Sequence, residues 1–183
     1  MSERRDFDDE ETILEHFMEY RLGAEEFKDW CRMYPSSSEY KAWDKVISID
    51  NWTFADCPQL KKLILPSKLV EVGYKVFENS NNIEEICFDN GEKKTLNGQF
   101  IIENGYLYDA FSRTVLKVFS NAQVIEIPEG VKKLDRLCFA GLKNLRKVIL
   151  PESLVSKEIP FAGCDSLQEV IISEKNEIYE VRN

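Results

Sequence analysis

Histidine is nearly absent. His16 is the one imidazole in 183 residues. That excludes most general acid–base devices built on histidine and nearly all histidine metal sites. The five cysteines, Cys31, Cys57, Cys87, Cys138 and Cys164, stand at least 26 positions apart. Zinc and dithiol-exchange sites need close pairs such as C-x-x-C, so neither is expected. An odd, scattered set points to reduced thiols packed as small hydrophobes. No run reaches the roughly 18 apolar residues of a membrane helix. The segment MSERRDFDDEET at 1–12 has no apolar core of the kind a secretory signal carries. The expected location is therefore cytoplasmic. A removed signal would instead place the chain at the cell surface. With eight glycines, no G-x-G-x-x-G or P-loop spacing occurs, and no cofactor is expected.

Basic charge is also in short supply. The chain carries 33 acidic and 24 basic side chains, a net charge of −9. Such a chain does not neutralise phosphates, so neither nucleic acid nor an anionic membrane is an expected partner. The charge is uneven. Residues 1–45 hold 13 acidic and 7 basic side chains, two thirds of the excess.

Short matches to catalytic or modification motifs lack their companions. Ser38-Glu-Tyr-Lys41 fits S-x-x-K but has no partner motifs. Asp6–Glu11 has neither the glycine nor the final glutamate of a calcium loop. Asn51-Trp52-Thr53 fits the glycosylation triplet and means little without a secretory route. The sequence reads as a non-enzyme.

What is present is a repeat. Phe54 and Phe77 are 23 residues apart, and Phe139 and Phe161 are 22 apart. Six residues after each comes Leu60, Ile83, Leu145 or Leu167; nine after, Leu63, Ile86, Val148 or Val170; eleven after, Leu65, Phe88, Leu150 or Ile172. Positions +9 and +11 share one face of a strand. A strand recurring once per 23 residues lies parallel to the next, and stacked coils bury what one coil cannot. Pro66, Pro128 and Pro151 end the strands, because proline lacks the amide a ladder needs.

The strings FADCPQLKKLILP, FAGLKNLRKVILP and FAGCDSLQEVIIS resemble BspA-like leucine-rich repeats, whose pattern runs roughly A-F-x-x-C-x-x-L-x-x-I-x-[IL]-P. The likeness covers 46–91 and 120–173. It departs at FENSNNIEEICFDN, which lacks the Cys and Pro, and at VSKEIPF, which is one residue short. The resemblance implies a right-handed α/β-type solenoid of about five coils with a parallel sheet on its concave face. It also implies binding rather than catalysis.

Two segments stand outside the period. Residues 92–119 contain Asn104-Gly105 between β-rich runs, the signature of a hairpin insertion. In 1–45, Ile13, Leu14, Phe17 and Met18, then Phe27, Trp30 and Cys31, recur at helical spacing. Gly23 separates two helices, and a short third is expected over 39–45. The reading is an N-terminal helical cap, 1–45, on a solenoid, 46–183. The tail 175–183 resembles 96–104 and reads as an edge-covering strand.

With +9 and +11 inside, +8 and +10 face solvent. Lys62 should face Glu85, and Lys147 should face Glu169. Beside them Ile64, Cys87, Glu126, Ile149 and Ile171 form a mostly apolar row. Such rows mark contact sites. These nine residues are the candidate surface for an unidentified protein partner or a second copy of the chain. Other binding readings are a surface adhesin and an acidic inhibitor of immunity type that occupies a basic partner.

Overall fold

The computed structural model describes residues 21–33, 37–42, 45–155, 161–172 and 175–176. His16, the helix expected around it and the tail from 177 lie outside the described residues. The chain coils as a β-solenoid of two strand rows. The long strands are β2 (Glu39–Lys41), β4 (Lys62–Leu65), β6 (Glu85–Phe88), β10 (Val124–Glu126), β12 (Lys147–Leu150) and β13 (Glu169–Ile172). The short ones are β1 (Arg21–Leu22), β3 (Ser48–Ile49), β5 (Glu71–Val72) and β11 (Lys133–Leu134). Within each row neighbouring strands pair in parallel, β2-β4-β6 and β10-β12-β13 among the long ones, β1-β3-β5 among the short. Alternation fixes which face is inside. Leu63, Leu65, Ile86, Phe88, Val148 and Leu150 are buried, and the residues between them are half-buried or exposed.

The anchor phenylalanines stack from coil to coil. The ring centroids of Phe54 and Phe77 are 5.8 Å apart, and those of Phe139 and Phe161 are 5.1 Å apart. Two residues after each anchor the chain turns through positive φ, at Asp56, Asn79, Gly141 and Gly163. Asp, Asn and Gly are the residues that tolerate this region. Ser80 explains the coil that lacks a Cys. Buried at that position, its hydroxyl donates to Phe54 O and accepts from Cys57 N at 3.0 Å. The thiol of Cys164 likewise donates to Phe139 O at 3.1 Å.

The N-terminal reading needs a correction. Helix α1 (Ala24–Met33) is present, with Phe27, Trp30 and Cys31 on its inner face. Residues 39–41 are strand β2, not a third helix, and Tyr40 and Ala42 alternate with exposed Glu39 and Lys41. Parallel bonding to β4 puts Tyr40 opposite Leu63. Phe27 of α1 stands 4.9 Å from Phe54, edge to face, and so extends the stacked rings. Segment 21–42 therefore runs strand, helix, strand in the places where later coils run strand, turn, strand. The expected aromatic junction is partial: Trp30 packs on Phe27 and Tyr40, while Trp52 is half-exposed beside Tyr74.

In 92–119 the chain forms a meander of β7 (Phe100–Glu103), β8 (Tyr106–Asp109) and β9 (Thr114–Val118). Asn104 and Gly105, at φ of 50° and 78°, turn β7 into β8. Strand β9 then pairs in parallel with β11, so the meander joins the short-strand row. It stands between two core clusters. Phe100 and Leu107 belong to the first, which starts at Leu22; Tyr106, Val115 and Val118 belong to the second, which ends at Cys164.

The turns of the two halves also meet directly at Gly141. A side chain there would run into Asn81 and meet its carbonyl oxygen at 2.9 Å, at a φ of +81°. Gly141→Ala should destabilise the fold by about 2–4 kcal/mol, from positive-φ strain plus the collision. Urea unfolding checks this; a loss below about 1 kcal/mol would mean the seam is looser than described.

Candidate functional site

The outward face of the long strands holds all nine candidate residues, and register fixes their neighbours. Lys62 lies between Glu39 and Glu85, with its ammonium 3.8 Å and 3.6 Å from the two carboxylates. Lys147 pairs with Glu169 at 3.1 Å. One position outward, Lys61 meets Glu84 at 3.3 Å. These pairs are largely solvent-exposed, so each contributes well under about 1 kcal/mol. Their effect is to hold charge in fixed rows.

The apolar row differs from the expected strip. It divides into Lys41–Ile64–Cys87 and Glu126–Ile149–Ile171, because β6 and β10 belong to separate three-stranded sheets. Ile64, Cys87 and Ile149 are half-buried rather than open, and Ile171 is 36% exposed. Glu39 and Lys41 were missed as members. The string Glu39-Tyr-Lys-Ala42 sits 23 residues before Lys62-Leu-Ile-Leu65 and was the available signal.

Four of the five thiols are poorly suited to act as nucleophiles at neutral pH. Burial raises the pKa of Cys57, Cys87, Cys138 and Cys164, with Glu85 adding to the effect at Cys87. A thiol held in its neutral form is a weak nucleophile. Asp6–Glu11 lies outside the described residues, and the other two motif matches have structural roles. The Ser38 carbonyl accepts from the amides of Lys61 and Lys62, at 2.8 Å and 2.9 Å. Thr53 is buried and donates to the carbonyls of Leu22 and Asp50, at 3.0 Å and 2.8 Å. Among the described residues no three His, Cys, Asp or Glu side chains converge as metal ligands would. No described helix is long and apolar enough to cross a membrane.

One charged residue was not anticipated. Lys117 on β9 is 1% exposed, and its ammonium donates to Ala140 O at 3.3 Å. Burial lowers its pKa from 10.5 to about 8, against weaker opposing contributions from Cys138, Cys164 and Asp135. A bulge lies beside it. Lys117 pairs with Leu107 and Val115 with Tyr108, which leaves Leu116 without a cross-strand partner.

The family model for a BspA type leucine rich repeat region matches residues 25–122 and 110–182, in six copies. The chain belongs to the BspA-type leucine-rich repeat family. Its six copies exceed the roughly five coils expected from the sequence, and the match begins inside α1. No curated protein matches. Among solved structures, a leucine rich cell surface protein from Faecalibacterium prausnitzii A2-165 is 20% identical, with a TM-score of 0.42, over 75% of this chain and 32% of its own. A leucine-rich repeat protein from Eubacterium ventriosum ATCC 27560 is 14% identical, with a TM-score of 0.47, over 74% and 54%. The pneumococcal vaccine antigen PcpA is 15% identical, with a TM-score of 0.41, over 73% and 50%. The BspA-type chain thus spans about a third to a half of the matched structures' lengths.

Proposed function

We propose that this BspA-type chain is a non-catalytic binding module that takes a protein partner on its long-strand face. In this reading that face is the concave side of the solenoid. The observation that carries it is the row Glu126–Ile149–Ile171, half-open apolar side chains flanked by the fixed Lys147–Glu169 pair. Apolar surface rimmed by ordered charge gives contact energy at the centre and register at the edge. The charge rows carry both signs, so the partner's matching surface also carries both. Five free thiols suit a reducing compartment inside the cell.

A comparison of the chain with Ile149→Asp tests this. Extract of the source organism is passed over immobilised wild type and variant, and melting of each is followed separately. The expected result is a set of proteins retained by wild type and lost at least tenfold with Ile149→Asp, the variant still folded. Ile171→Lys, at the more open position, should behave alike. An identical retained set on all three would sink the proposal.

A further inference from the structure

Two of the five thiols touch. The sulfurs of Cys31, on α1, and Cys57, in the first turn, are 3.4 Å apart. Both backbones are held. Phe27, one helical turn before Cys31, packs edge to face on Phe54 at 4.9 Å. The amide of Cys57 donates to the buried Ser80 hydroxyl at 3.0 Å. The pair is thus presented by two packed elements. Cys31 is half-buried, whereas Cys57 is 2% exposed. A small oxidant therefore meets Cys31 first.

We propose that Cys31 and Cys57 are an oxidation site, at which a peroxide converts the thiol pair to a disulfide that ties α1 to the first coil. In the first step the Cys31 sulfur attacks one peroxide oxygen. The O–O bond breaks, Cys31 becomes a sulfenic acid, and the released hydroxide takes the thiol proton and leaves as water. In the second step the Cys57 sulfur attacks the Cys31 sulfur. An S–S bond forms, the S–O bond breaks, and the departing hydroxide carries off the Cys57 proton as a second water. Two thiols are oxidised and one peroxide is reduced. The other thiols lie elsewhere: Cys87 on the sheet face, Cys138 and Cys164 in the second core.

The bond would close a loop carrying β2 and β3. A cross-link of this span restricts the unfolded chain and should raise the melting temperature by roughly 5–10 °C. The full-length protein is treated with one equivalent of hydrogen peroxide. Expected are a mass loss of about 2 Da, a 31–57 linked peptide on non-reducing digestion, and a higher melting temperature that dithiothreitol reverses. Cys31→Ala should show neither link nor rise. A sulfinic acid on Cys31, a link involving another cysteine, or the same rise in Cys31→Ala would each overturn the proposal. The peptide map on wild type decides the matter even where a variant folds poorly.

Discussion

Phe54→Ala should lower the melting temperature by about 8–16 °C, the largest loss expected from one side chain. The ring is fully buried. It meets Phe27 at 4.9 Å, Tyr40 at 5.8 Å and Phe77 at 5.8 Å, so it touches α1, β2 and the following coil together. Truncation removes apolar area and leaves a cavity that neighbours held by parallel ladders cannot close. Buried Phe→Ala changes cost ~3–5 kcal/mol, and a domain of this size loses ~2–4 °C per kcal/mol. Phe111→Ala is the control. That ring is 68% exposed at the β8–β9 turn and should change melting by no more than ~2 °C. Similar losses for both would mean that the stacked rings are not the core of the first half.

Lys117→Met should stabilise the protein at neutral pH, by about 2 kcal/mol or ~4–8 °C. The ammonium is buried and donates to the carbonyl of Ala140. Its folded value, about 8, lies below the ordinary 10.5. Between those limits the unfolded chain holds a proton that the folded chain has released. Stability therefore rises with pH across that window, and below about pH 8 the full burden of the buried charge is present. At ~1.4 kcal/mol per pH unit the burden is about 3 kcal/mol. Leaving Ala140 O without its donor returns about 1 kcal/mol. The gain should be greatest at pH 7 and fade by about pH 10, where the folded lysine has already shed the proton whose burial is costly. Melting curves of both proteins at pH 7 and pH 10 check this. A variant less stable at pH 7, or a pH-independent difference, would show that the amine is well solvated or ion-paired.

The period was legible because stacked rings and strand positions demand the same residue volume in each coil. Phe54, Phe77, Phe139 and Phe161 announce it. The first coil escaped the same reading because α1 is longer than a turn. It puts Phe27 27 residues before Phe54, so the aligned phenylalanines no longer coincide, although Tyr40 keeps its distance of 23 from Leu63. The helix itself was legible from Phe27, Trp30 and Cys31, one face of one helix. The charged rows were legible from alternation alone, as Lys62–Glu85 and Lys147–Glu169 illustrate. The division of the apolar row was not, because alternation says nothing about whether β6 bonds to β10. Lys117 was not legible either. Alternation from Val115 puts it inside, but a lysine is ordinarily read as a surface residue, and only the packing on both faces of β9 shows its burial.

The two core clusters carry a consequence for how the molecule comes apart. In a stacked array each coil is secured only by its neighbours, so the weakest junction sets where cooperativity ends. Here the division between the two cores runs through the meander, where Tyr106 and Leu107, adjacent in sequence, belong to different cores. The chain is thus two short springs joined in series rather than one. Lys117, opposite Leu107 on one side and bonded to Ala140 on the other, is the buried charge at their coupling.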